Sequence, residues 1–385
     1  MEAKKPTETT TTTTKKSLGN STTNVKVTPK KLERIPYIGP LMGADPEIFI
    51  KVGKKVVGSE MFISKDGERI AQNYGQRTKA TIDGVQLEIN TDAHSCRESL
   101  AGSLIQSFYE LDRLIKVKNP KAELCFDRAV TISAKELEKL RPENQRFGCK
   151  PSFNVYEGDT NAGKIMTTDP LQYRKRAGGG HIHLGVNSSN EKLKNKFKEN
   201  PQELVTILDY ILGNLCVILD KSPANKERRK LYGRAGEYRL PSHGLEYRVL
   251  SNFWISSPEL VSLVYGLSRV AIGMFVTEGY YEALQEAVPV KDIIKAINKN
   301  DYKLAYKNYK AIEDILFKAL YETDGGTFFG LSGSTRKRFN YFIDTCLEKD
   351  VSHFLNLGDL KTLRNKDGRS GFSNFLYSVK GFKIT

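Results

Sequence analysis

The chain has 385 residues, of which 39% are hydrophobic and 10% aromatic, and it carries a formal net charge of +15. These are the proportions of a folded protein with a sizeable core, in one large or two ordinary domains, and they exclude a chain that is disordered or fibrous throughout. The five cysteines, Cys96, Cys125, Cys149, Cys216 and Cys346, are spaced singly, which excludes a C-x-x-C motif and points to reduced thiols in the cytoplasm.

Residues 1–33 are of low complexity, with a threonine run from Thr9 to Thr14. They hold too little apolar surface to offset ordering, so a disordered basic tail is expected. No apolar signal core opens the chain, and the Asn20-Ser-Thr22 sequon is read as a chance match. Strands are expected at Glu47 to Val52, Lys55 to Val57 and Gly84 to Asn90. From Ser95 to Lys116, the spacing of Leu100, Leu104, Phe108, Leu111 and Ile115 predicts a helix that lays its apolar stripe on the sheet.

Residues 117–177 mix short strands and turns and read as a substrate-side insertion. Long helices are expected over Pro201 to Leu219 and Pro258 to Glu278; the first is interrupted by Asp209 and Asn214, reads as buried, and is not taken to cross a membrane. The last hundred residues read as helical to Tyr321, then glycine-rich from Thr323 to Gly333, with a basic-aromatic Arg336-Lys-Arg-Phe-Asn-Tyr341. Strands interleaved irregularly with helices indicate an α+β fold. The expected partition is the tail, a core over 34–275 and a mainly helical extension over 276–385. The basic charge can attract nucleic acid, but no recognisable nucleic-acid-binding module is present.

Four segments pair charged or imidazole side chains at alternate positions: Gly43-Ala-Asp-Pro-Glu-Ile-Phe49, Gly84-Val-Gln-Leu-Glu-Ile-Asn-Thr91, Gly178-Gly-Gly-His-Ile-His-Leu-Gly185, and Arg234-Ala-Gly-Glu-Tyr-Arg-Leu-Pro241 followed by Glu246-Tyr-Arg248. Alternate residues of a strand share a face. Asp45 with Glu47, Gln86 with Glu88, His181 with His183, and Glu246 with Arg248 are therefore expected to point together. Buried carboxylates are costly unless paired or metal-bound, and Mg2+ or Mn2+ favour such oxygen-rich sites with an occasional imidazole. Cations and arginines on one face are what phosphoryl transfer requires.

Three of the segments also have an alternative reading. Asp45 and Glu47 around Pro46 fit a charged edge strand; His181 and His183 fit a zinc site or structural hydrogen bonds; the arginines fit an ion-pair ladder across two strands joined by the turn Pro241-Ser-His-Gly244. Gly158-Asp-Thr-Asn-Ala-Gly-Lys164 matches G-x-x-x-x-G-K, but Ile165 stands where Ser or Thr would bind Mg2+, and it is read as a turn.

Taken jointly, the four segments resemble a known family. The first resembles the Gly-Pro-Glu-Pro-Glu-Phe-Phe strand of glutamine synthetase, and Gly180-His-Ile-His183 its Gly-Met-His-x-His. Arg234-x4-Arg239-Leu-Pro241 and Glu246-x-Arg248 are similar to its Arg-Ser-Ala-Ser-Ile-Arg-Ile-Pro and later Glu-x-Arg, in the same order. The chain resembles the phage-type carboxylate-amine ligases (amidoligases), relatives of glutamine synthetase and gamma-glutamylcysteine synthetase, over roughly residues 40 to 275.

The resemblance implies a glutamine-synthetase-like curved antiparallel sheet, half a barrel, with helices on its outer face. It implies ATP, two or more Mg2+ or Mn2+ ions, a small-molecule or peptide carboxylate and an amine or ammonia, in the cytoplasm, that of the host if the gene is a phage's. Glu47 and Glu88 would hold the first metal, and Asp45, His181 and Glu246 the second. His183 would contact phosphate, Arg234 and Arg239 the nucleotide phosphates or substrate carboxylate, and Arg248 the transferred phosphate; Arg176, just upstream of the glycines, could reach either anion. The family's further glutamate is replaced here by Cys96, with Glu98 nearby and Gln86 or Asn90 as possible oxygen donors. Two other functions stay open at this point, a non-catalytic phage protein and a zinc-dependent hydrolase using His181 and His183.

Overall fold

The computed structural model describes residues 41–70, 78–147, 152–157, 169, 171–185, 191–322, 333–360, 372–379 and 382. The tail, the Asn20 sequon, Cys149, the Gly158 to Lys164 look-alike and the glycine-rich stretch 323–332 lie outside these residues.

Strands β1 (Leu41–Ala44) and β2 (Glu47–Val52) form one run that serves two antiparallel sheets. On one side it leads a sheet ordered β1-β11-β13-β12-β9, where β9 is Phe153–Asn154, β11 is Ile182–Gly185, β12 is Glu237–Arg239 and β13 is Gly244–Tyr247. On the other it enters a sheet ordered β3-β2-β6-β5-β4, built from β3 (Lys55–Val57), β4 (Glu68–Ile70), β5 (Thr78–Asp83) and β6 (Gln86–Asn90), with β7 (Ala122–Cys125) also on β2. A short pair of β8 (Ala129–Thr131) and β10 (Lys175–Ala177) stands apart.

Pro46 sits at the joint between the two sheets. Its neighbours stay bonded: Asp45 N–H donates to His181 O (3.4 Å), Glu47 N–H to Gly179 O (2.9 Å), and Pro46 O accepts from Ile89 N–H (3.1 Å). The run is therefore interior, and the charged-edge reading of Asp45 and Glu47 does not hold. Proline is tolerated because the chain turns from one sheet to the other where no ladder donor is needed.

The period of two sorts the side chains. Ile48, Leu87, Ile89, Ile182, Leu184, Leu245 and Tyr247 enter one large core with the helices, while the residues between them line the opposite, concave face. The helix Arg97–Lys118 buries the expected stripe Leu100, Leu104, Phe108, Leu111 and Ile115. This is the curved antiparallel sheet with helices behind it that the motifs implied.

Helices Pro201–Leu219 and Pro258–Val276 are long and apolar enough to cross a membrane, yet 89% and 94% of their apolar windows are buried inside the protein. Asp209 does not break the first. It begins a π-helical turn, Asp209–Gly213, and accepts hydrogen bonds from Tyr247 (2.6 Å) and Tyr156 (2.9 Å), which ties the helix to the back of β13. Asn214 donates to Ala305 O in the helix Tyr302–Glu322. The same core continues past residue 275 into the helices Tyr280–Ala287, Val290–Lys299, Tyr302–Glu322, Gly333–Glu348 and Phe372–Ser378.

The glycines before His181 are required by close packing. A Cβ on Gly178 would stand 2.4 Å from Asn252 Nδ2, one on Gly179 2.5 Å from His181 Nε2, and one on Gly180 2.2 Å from Ser251 O. Gly180→Ala is expected to cost about 1–3 kcal/mol through overpacking. Gly102→Ala, inside the first helix with nothing within 4 Å of its Cβ, is expected to add about 0.5–1 kcal/mol. Thermal melts of the two variants check the contrast, and equal shifts would contradict it.

Candidate active site

Register brings the polar residues into rows. His183 lies opposite Gly43 on one side and Glu246 on the other, and Glu246 lies opposite Arg239, so one line of side chains, His183, Glu246 and Arg239, crosses three strands. In the second sheet Glu47 lies opposite Glu88, and Glu88 opposite Thr81. Two carboxylates placed directly across a ladder repel one another unless a cation stands between them.

Asp45 joins the rows. Its Oδ2 is 3.1 Å from His183 Nε2 and its Oδ1 is 3.5 Å from His181 Nδ1, which is also 3.6 Å from Glu246 Oε1. Glu246 is held from behind by Arg248 at 2.8 Å and from the rim by Arg239 at 3.4 Å. Glu47 Oε2 accepts from Gly179 N–H (2.6 Å), Gln86 Nε2 (3.3 Å) and the Tyr232 hydroxyl (3.4 Å). Glu88 is steadied by Asn90 (2.5 Å).

Ligand atoms therefore converge in two groups, Asp45 with His183 and Glu246, and Glu47 with Asp83 and Glu88, each within 4.8 Å of one another. Burial, and then the repulsion of Glu47, hold the Asp45 and Asp83 carboxyls well above the usual range. Burial and the Asp45 charge push Glu88 and Glu246 up to about 7. Burial, helped by Arg228 and Arg239, holds His181 well below its ordinary value, and burial lowers His183 and His243 too.

Asp45 Oδ1, both ring nitrogens of His181 and His183 Nε2 are buried without a hydrogen bond. Buried polar atoms left so are costly. A divalent cation between Asp45, Glu246 and the imidazoles would satisfy them and relieve the crowding of five carboxylates that face two guanidinium groups. The residues present thus fit a metal.

Of the residues singled out in the sequence, Asp45, Glu47, Glu88, His181, His183, Glu246, Arg239 and Arg248 are brought together. Arg176 and Arg234 are not. Arg176 is buried against Phe147 and spends its guanidinium on the carbonyls of Tyr173 (2.6 Å), Lys175 (3.0 Å) and Gln145 (2.9 Å), so it pins chain segments instead of meeting phosphate. Arg234 forms a two-pronged pair with Glu157. The turn at Ala235 and Gly236 separates it from β12, so the five-residue spacing does not put Arg234 and Arg239 on one strand face.

Cys96 donates to Glu98 at 2.8 Å, and Arg97 also holds Glu98, at 2.6 Å, so that carboxylate is engaged at the start of the helix. The third carboxylate near Glu47 and Glu88 is Asp83, which sequence reasoning missed because an Asp before Gly84 reads as an ordinary turn residue. The hairpin itself was the available signal: it pairs Asp83 with Gln86, on the face of Glu88. His243, Arg228 and Tyr232 were missed as well, being brought to the site only by tertiary packing.

No curated protein searched matches the chain. Residues 166–323 match the family model described as phage phiEco32-like COOH.NH2 ligase-type 2. That stretch contains His181, His183, Arg239, Glu246 and Arg248 and extends past the end of the resemblance read from the motifs, while Asp45, Glu47, Asp83 and Glu88 precede it. Through this stretch, whose residues meet those four carboxylates on one face of the sheet, the chain is similar to the phage phiEco32-like COOH.NH2 ligases, a family named for joining a carboxylate to an amine.

Proposed function

We propose that this protein is an ATP-dependent ligase that joins a carboxylate to an amine through an acyl phosphate. The observation that carries the reading is the gathering of two carboxylate-rich groups, one with imidazole, on a single concave face next to Arg239. In the reaction a substrate carboxylate oxygen attacks the γ-phosphorus of ATP and ADP leaves; an amine then attacks the acyl carbon, phosphate leaves, and the amine nitrogen gives up a proton. Activation is needed because a carboxylate oxygen is a poor leaving group at neutral pH.

Mg2+ or Mn2+ at the two groups would neutralise phosphate charge and help align the reactants. Asp45, His183 and Glu246 would hold one ion, with His181 Nδ1 alongside, and Glu47, Asp83 and Glu88 the other. Arg239, 31% exposed at the rim, is the guanidinium positioned to meet phosphate or the substrate carboxylate. Arg248 is 1% exposed and lies behind Glu246, so its part is to hold that carboxylate in place, in contrast to the contact with the moving phosphoryl group that the motif implied.

The test is ADP release by the full chain across a panel of carboxylates with amines, and with hydroxylamine replacing the amine. Release that depends on both substrates, with hydroxamate formed from hydroxylamine, is the expected result. One tightly held zinc with ATP-independent hydrolysis would favour a hydrolase, and absence of any turnover a non-catalytic protein.

A further inference from the structure

His243 lies in the turn between β12 and β13, and its Nε2 is 2.9 Å from Nδ1 of His183. The other nitrogen of His183 faces Asp45 Oδ2 at 3.1 Å. The turn is anchored: Gly244 N–H donates to Pro241 O (3.1 Å), and a Cβ on Gly185 would stand 2.9 Å from His243 O. The two imidazoles, tilted at 42° with centroids 5.0 Å apart, are linked through these ring nitrogens.

We propose that His243 is a positioning residue of the site: it accepts the Nδ1 proton of His183 and so leaves Nε2 as the lone pair turned toward Asp45 and Glu246. A neutral imidazole carries one proton, and the partner of one nitrogen decides what the other can do. With Nδ1 donating, Nε2 is a cation ligand, a different role from the phosphate contact that the family motif implies for His183. The inference rests on reading Asp45, His183 and Glu246 as a cation group, and it adds a residue from a turn to that site.

The experiment uses the full chain with Mn2+ alone as the probe, measured by calorimetry, and 15N spectra of labelled histidine in the metal-free protein. His243→Phe, which keeps a ring but loses the acceptor, is expected to weaken Mn2+ binding about 10- to 100-fold. His243→Gln, whose amide oxygen can accept, should restore most of the affinity. His183→Ala added to His243→Phe should cost less than His183→Ala alone, since the two act through one contact.

In the spectra His183 should carry its proton on Nδ1, and should lose that preference in His243→Phe. Equal Mn2+ binding by wild type and His243→Phe, equal damage from Phe and Gln, or a wild-type His183 protonated on Nε2 would overturn the proposal. A wild type that binds no Mn2+ yet keeps the Nδ1 proton would instead sink the cation reading while supporting the contact.

Discussion

Arg248→Met is expected to melt at a much lower temperature than Arg239→Met, although both arginines pair with Glu246. Arg248 and Glu246 are 1% and 3% exposed and 2.8 Å apart, whereas Arg239 is 31% exposed and 3.4 Å away. Breaking a buried pair by removing one partner costs about 3–5 kcal/mol, because the other charge stays buried. A pair open to water is worth about 0–1 kcal/mol.

For a large domain the first loss corresponds to a fall on the order of 5–15 °C in the melt, and the second to a few degrees at most. Arg248→Lys adds a separate check. It keeps the charge and loses the planar fork, so it should weaken cation binding and turnover together, because it acts through Glu246. Thermal unfolding of the three variants, with Mn2+ titrations and kinetics for Arg248→Lys, measures this; turnover lost with cation binding intact would return Arg248 to the reacting centre.

The metal-free protein should lose stability as pH rises through neutrality, and Mg2+ should reverse the loss. Glu88 and Glu246 titrate in the folded chain at about 7, above their ordinary 4.5, and Asp45 and Asp83 are raised as well. Between the unfolded and folded values the folded state binds more protons than the unfolded one, so stability falls with rising pH. At about 1.4 kcal/mol per pH unit for each group, two such glutamates amount to several kcal/mol.

His181 and His183 are depressed and act in the opposite sense, adding stability as pH rises toward about 6.5. The glutamates' share is lost between about pH 4.5 and 7, so the decline should be clearest from about pH 6.5, where the histidines cease to oppose it, to just above 7. A divalent cation binds the ionised carboxylates, so its stabilisation should be small near pH 5 and about 2.7 kcal/mol at pH 8 when present at a hundred times its dissociation constant. Melts in chelator and in Mg2+ across this range provide the measurement. A flat profile in chelator, or the same Mg2+ shift at both ends, would count against the two carboxylate groups as cation sites.

Much of this was legible from local pattern. The alternation in Glu47-Ile-Phe-Ile and Gln86-Leu-Glu-Ile determined which side chains face the helices, because a strand has a period of two whatever surrounds it; on the other face Glu47 and Glu88 meet in the cleft while Phe49 enters a second apolar cluster. The apolar stripe from Leu100 to Ile115 determined the first helix in the same way, and the turn Pro241-Ser-His-Gly244 foretold the pairing of β12 with β13. Distances between segments had no such signal.

Only the tertiary structure decided that Asp83 stands with Glu47 and Glu88, that His243 reaches His183, and that Arg176 and Arg234 turn elsewhere. It also decided that Arg248 is a buried support and Arg239 the arginine at the rim. These outcomes depend on register between strands far apart in the chain and on which donors are already spent on nearby carbonyls and carboxylates. Residue type and spacing state what a side chain can bind, but burial and competing partners determine what it does bind.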